Sequence, residues 1–187
     1  MGKEGIPVTY HDIYCREGQP GINSVREIFK TYGKAYNDRE GRRILGAKEE
    51  LFKEIAHLRF IAGARSFLKR LHRGKFRLAL VTGTSRHELC RILPEGLRDL
   101  FSVIITGNDV RHGKPHPEPY LKSLRQLKLT KADAVVIENA PFGIQSAKRA
   151  GLRCLAVETS LPKEYLKEAD AVFGSIQELQ SEVCFSN

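Results

Sequence analysis

The sequence predicts an α/β protein: a doubly wound, Rossmann-like parallel sheet preceded by a helical lobe. Three observations carry this. From about residue 62 onward, short apolar runs alternate with helical stretches, the order that gives parallel strands with helices on both faces. The run Ala134-Val135-Val136-Ile137 is β-branched and does not alternate, as in a strand covered on both sides. Residues 10–60 show helical periodicity and no credible strand. The expected division is a helical lobe at 1–61 and an α/β core at 62–187.

The totals bound the class. The chain has 187 residues, 41% hydrophobic and 28% charged, enough for one well-filled core and a small accessory lobe. No apolar run is long enough to span a membrane, and the polar residues Met1 to Gly5 form no signal peptide. Cys15, Cys90, Cys154 and Cys184 are widely spaced without a Cys-x-x-Cys, which reads as a reduced, cytoplasmic protein with Cys154 as a small core residue. The formal charge of +9 attracts anions. Lys and Arg are spread through nearly every helical stretch, so no nucleic-acid partner is expected. The sequence does not fix the oligomeric state.

Taken in order, residues 5–20 read as a loop and a short helix, followed by a Gly- and Pro-rich turn. Ser24 with Glu27 predicts a capping box, and Val25, Ile28, Phe29 and Tyr32 the buried face of the helix it opens, up to Gly33. Asn37 or Asp38 caps the next helix, with Ile44, Leu45, Leu51, Phe52, Ile55 and Leu58 as its stripe. Ala64, Phe67, Leu68 and Leu71 form another, closed by Gly74. Strands are expected at 76–81, 101–105, 134–137, 152–157 and 171–173. Helices are expected around 89–93, 120–127, 141–150 and 162–169, and from 175.

Polar residues gather where strands end, which is where ligands bind in open α/β sheets. Thr82 and Gly83, with a helix start just beyond, can cradle a phosphate, although hydroxyls in that place also serve as caps. Glu138 and Asn139 offer oxygen ligands to a hard cation such as Mg²⁺, or else simply end a strand before a capped helix. Lys114, in Gly113-Lys114-Pro115, has a stiff backbone that can aim its ammonium. His112 and His116 have the spacing of a zinc pair on a helix, but Gly113 and Pro115 between them forbid one, so no zinc site is expected.

Together, a hydrophobic strand ending in Thr82, then Gly113-Lys114-Pro115-x-Pro117, then Val135-Val136-Ile137-Glu138-Asn139-Ala140-Pro141-x-Gly143-Ile144-x-x-Ala147 resembles the haloacid dehalogenase superfamily. The likeness is to its β-phosphoglucomutase and phosphoglycolate phosphatase branch, and it runs from about residue 5 onward. It implies a capped α/β core and Mg²⁺-dependent phosphoryl transfer through an aspartyl-phosphate on a small phosphorylated metabolite. By the same resemblance Thr82 and Gly83 hold the phosphoryl oxygens, Lys114 neutralises charge, and Glu138 and Asn139 support the metal. Many members have Asp where Asn139 stands. Arg16, Gln19 and Asn23 are the cap residues placed to meet substrate. The family's Asp-x-Asp nucleophile motif, normally on a central first strand, is absent: no two of the aspartates are one residue apart. The expectation is a core lacking that strand, with unpaired backbone groups and an apolar cleft in its place. Such a chain would be either a shortened, inactive phosphohydrolase or a non-catalytic relative that binds a phosphate ligand or a protein.

Overall fold

The computed structural model describes residues 5–55 and 60–186. Helices come first: α1 (Tyr10–Tyr14), α2 (Gly21–Thr31), α3 (Asp38–Ile55) and α4 (Ala64–Arg73). Among the described residues the strands are β1 (Leu78–Val81), β2 (Phe101–Ile105), β3 (Val135–Glu138), β4 (Arg153–Val157) and β5 (Ala171–Phe173). Between and after them lie α5 (Arg86–Ile92), α6 (Glu95–Arg98), α7 (Glu118–Leu127), α8 (Pro141–Arg149) and α9 (Ile176–Glu182). Every strand pairing is parallel, so the fold is the α/β class read from the sequence.

Strand β4 shows how the layers form. Its residues alternate between two cores because successive side chains leave a strand on opposite faces. Cys154 and Ala156 pack with Tyr120 and Leu124 of α7 and Ile144 and Ala147 of α8. Leu155 and Val157 pack with Phe67 of α4 and Ile176 and Leu179 of α9. Helices therefore cover both faces. A third core, of Ile6, Val25, Ile28 and Phe29, belongs to the helical lobe.

The sheet is in two hydrogen-bonded parts. Among the described residues β1 pairs only with β2, while β3, β4 and β5 form the other part. The edges of β1 and β3 that face away from their partners have no ladder. The parts are joined by packing: α7 contacts both β1 and β2, and Val81 packs against the cores on either side.

Several local expectations change. Helix α2 starts at Gly21, not after Ser24, because the Pro20 carbonyl already accepts Asn23 N–H and Ser24 N–H. Capping boxes stand instead at Thr9/Asp12, Ser85/Glu88 and Thr106/Asp109. Leu51 is 55% exposed rather than part of a buried stripe. Leu58, and the side chains of Phe52 and Ile55, lie outside the described residues. The expected helix at 162–169 is only a 3₁₀ turn at Lys163–Tyr165, opened by Pro162. Asn37 does cap α3, through its side-chain oxygen and Glu40 N–H at 2.8 Å. Cys154 is fully buried, and that burial, with the charge of Glu138, pushes its thiol up to about 12.

Candidate active site

The carboxyl ends of β1 and β3 are linked by one ammonium. Lys114 Nζ donates to Val81 O at 3.1 Å and to Glu138 Oε1 at 2.5 Å. Both side chains are more than nine-tenths buried, at 7% and 8% exposure. Such a pair persists only when its remaining donors and acceptors are satisfied. Glu138 meets that condition: Oε1 also accepts from Tyr120 Oη at 3.0 Å, and Oε2 accepts Asn139 N–H at 2.8 Å and Ala140 N–H at 3.1 Å. Four donors thus fill the carboxylate's acceptor sites. Lys114 is different. An ammonium has three donors, and two are used within the protein. Its charge also lies 5.1 Å from the centre of the Tyr120 ring, a cation–π distance. Burial, then the charge of Glu138, holds the Tyr120 hydroxyl well above its usual range, so it stays a donor.

Two glycines make this arrangement possible. A Cβ on Gly143 would stand 1.9 Å from Glu138 Oε1, so only glycine lets the first turn of α8 lie against the carboxylate. Gly18 has φ +95 and packs on Ala140 and Gly143. There the loop out of the lobe crosses the end of β3, with Phe142 N–H donating to Glu17 O at 3.2 Å.

Thr82 follows β1 and keeps the ladder going through its N–H to Ile105 O at 2.9 Å. Its Oγ1 accepts Thr84 N–H at 3.1 Å, which leaves the hydroxyl proton free to donate outward. Thr82, Gly83 and Lys114 line one cleft of about 530 Å³, with Gln19 and Asn23 on the lobe side. That cleft brings five of the predicted site residues together.

The other three are placed otherwise. Arg16 lines a separate cavity of about 710 Å³ inside the helical lobe. Its guanidinium donates to Asp12 O and Thr31 Oγ1, both at 2.9 Å. Glu138 lies behind Lys114, reached through it. Asn139 donates from Nδ2 to Thr159 Oγ1 at 2.9 Å. As a Mg²⁺ site the turn fits poorly. Glu138 is saturated, and Asn139 Oδ1 is one neutral oxygen where a hard cation needs carboxylates. Of this turn, Asn139 Oδ1 is the oxygen that would be left to meet Mg²⁺.

The cleft also contains Arg111 and Arg149, which the sequence did not single out, and His112 and His116, which were weighed as a zinc pair and set aside. No helix joins His112 to His116, as the intervening Gly and Pro require, yet their rings stand 4.6 Å apart in a turn. Tyr120 and Gly143 were visible as residues but not as partners of Glu138. Gly143 carried a signal, since it belongs to the Ala-Pro-x-Gly string after the strand.

With fold and cleft in view, relatives can be named. Residues 11–157 match the family described as haloacid dehalogenase-like hydrolase. The chain belongs to that family. It is similar to a validoxylamine A 7'-phosphate phosphatase of Streptomyces hygroscopicus subsp. limoneus, 35% identical over 121 residues, which are 64% of this chain and 57% of that protein. It is similar to a phosphorylated carbohydrates phosphatase of Thermotoga maritima, 32% identical, covering 81% of this chain and 84% of that one. Its fold matches a structure from Bacteroides vulgatus provisionally assigned as a beta-phosphoglucomutase. The TM-score is 0.83 at 28% identity, over 97% of this chain and 76% of the other. No described helix is long and apolar enough to cross a membrane.

Proposed function

We propose that the cleft binds the phosphate of a small phosphorylated metabolite, as the site of a phosphohydrolase or phosphomutase. The observation that carries this is Lys114: a buried ammonium fixed by two internal acceptors, with its third donor left for an anion. The Thr82 hydroxyl and Gly83 N–H take the phosphoryl oxygens beside it. Lys114 offsets negative charge as it develops on them. Glu138 positions Lys114, and Gln19 and Asn23 meet the rest of the ligand. The relatives named as phosphatases of phosphorylated compounds support the substrate class. Mg²⁺ is the cofactor the family implies, with Asn139 Oδ1 as the free oxygen this chain offers it.

These residues supply no carboxylate nucleophile at the cleft. None of the chain's aspartates lines it, and the carboxylate that does, Glu27, stands on the lobe side, where it accepts from Gln19 at 3.2 Å and lies 3.5 Å from Arg16 Nε. Asp12 is held by Thr9 and Tyr32, Asp38 by Arg26, Asp109 by Thr106 and Arg86, Asp133 by Thr130, and Asp170 by Lys148. Asp99 is exposed at the end of α6. The 187-residue chain is therefore expected to bind phosphate without turning it over. The same observation supports a second reading, a non-catalytic relative that retains the phosphate pocket.

Calorimetric titration with inorganic phosphate tests the pocket. Saturable binding that disappears in a Lys114→Met variant of unchanged circular dichroism is the expected result. No binding, or equal binding by both proteins, refutes the phosphate site. An assay of small phosphomonoesters with Mg²⁺ is expected to show no hydrolysis. Turnover that persists through repurification overturns the non-catalytic expectation.

A further inference from the structure

Beyond the phosphate pocket, the same cleft wall carries a second set of ligating groups. We propose that His112, His116 and Glu118 form a binding site for a borderline-soft divalent cation of the zinc type, apart from the Glu138–Asn139 turn.

Convergence is the first argument. One ligand atom from each of the three residues lies within 4.8 Å of the others, the one such group among the described residues. The second is chemistry. Two imidazoles and a carboxylate suit zinc and its neighbours, whereas Mg²⁺ prefers oxygen and water. Glu118 presents a carboxylate held in place, its Oε1 accepting Arg111 N–H at 2.9 Å and its Oε2 His112 N–H at 3.0 Å.

The backbone that carries these residues is stiff. Pro115, Pro117 and Pro119 each fix φ within the segment. His116 N–H donates to Gly113 O at 3.0 Å, Ser146 Oγ to His116 O at 2.6 Å, and Arg149 to Pro115 O at 3.1 Å. The buried Lys114 anchors the segment from inside.

In the structure His112 Nδ1 bonds Glu118 Oε2 at 3.0 Å, and Glu118 N–H donates to His116 Nδ1 at 3.2 Å. A tetrahedral ion with bonds of about 2.0–2.1 Å would replace these two contacts. Its ligands would then sit roughly 3.4 Å apart, a contraction within reach of two exposed rings. Three protein ligands leave the fourth position open. Because His112 and His116 line the cleft, that position would face the space shared with Lys114.

Competition with a chromophoric chelator, using the tag-free chain, measures Zn²⁺ affinity directly. About one Zn²⁺ per chain is expected, undisturbed by millimolar Mg²⁺. His112→Ala and His116→Ala should each weaken it by roughly 100-fold or more, beyond the ~10–100-fold typical of losing an outer partner. Both side chains are exposed, so these variants should keep the fold. A Cys90→Ser/Cys184→Ser variant, which removes the two exposed thiols, should bind Zn²⁺ as the parent does. No Zn²⁺ uptake, uptake that survives both histidine substitutions, or uptake lost with the cysteines would each overturn the site.

Discussion

The two walls of the cleft hold their polar groups in different ways. On the core wall Lys114 and Glu138 are buried, and every acceptor site of the carboxylate is filled from within. On the lobe wall Gln19 and Asn23 are half-buried, and Gln19 donates to the half-exposed Glu27 at 3.2 Å. Arg16, on the same loop, is turned into its own lobe. A buried, saturated group has one low-energy position, because moving it strands a charge away from water. A half-exposed amide has many. Position is therefore built into the core wall and left adjustable on the lobe wall.

The contrast breaks most readily at Glu138. Glu138→Ala leaves Lys114 buried without its counter-charge, and removing one partner of such a pair costs about 3–5 kcal/mol. Urea unfolding should show a loss of that size. A loss below about 1 kcal/mol would mean that water reaches the pair and that the core wall is no more rigid than the other. Gly143→Ala sharpens the point. Its methyl displaces the pinned carboxylate, an overpacking cost of about 1–3 kcal/mol in the parent. In the Glu138→Ala background the obstructing oxygens are gone, so most of that cost should vanish, and the double-mutant cycle reads the coupling.

The core wall was the more legible in sequence, and for the same physical reason. Thr82 and Glu138 follow apolar runs and Lys114 sits among Gly and Pro, so local pattern alone puts the first two at strand ends and the third in a stiff turn. The fold class came from β-branched runs such as Val135 to Ile137, which have few other uses. What pattern could not supply were contacts between distant segments. Tyr120 read as one position on an apolar helix face, and its hydroxyl finds Glu138 only once α7 packs into the core it shares with Val136 of β3. Arg16 read as a free loop cation, while Thr31, fifteen residues on, holds it in the lobe. His112 and His116 were set apart by the lack of a helix, yet a proline-rich turn brings their rings together by another path. The helix expected at 162–169 failed because Pro162 and the packing of Leu166 decide that segment, not its propensity.

Acid should probe both walls with a smaller effect. Thr106 hydrogen bonds hold Asp109, beside the core wall, down to about 2 from an ordinary 3.8. Thr9 does the same for Asp12 in the lobe, again to about 2. Glu118 falls to about 2 from 4.5. A carboxyl with a depressed folded pKa adds stability above its unfolded value and loses it as pH falls toward the folded one. The melting temperature should therefore decline from about pH 4.5 down to about pH 2. Glu118→Gln should flatten that decline from its upper end, and Asp109→Asn only from below about pH 4. Identical acid profiles for the two variants would show that these carboxyls do not act separately.

The smallest effect is expected on the lobe wall. Gln19→Ala removes one long hydrogen bond to an exposed carboxylate, so its cost in urea should stay within about 0.5 kcal/mol. Phosphate affinity should also stay level, since the proposed donors to the anion, Thr82, Gly83 and Lys114, all belong to the core. The lobe's contribution would instead appear with ligands whose non-phosphate part is long enough to reach residue 19. A Gln19→Ala variant that loses phosphate affinity as Lys114→Met does would place the amide at the anion itself, and the division between a fixed wall and an adjustable one would fail.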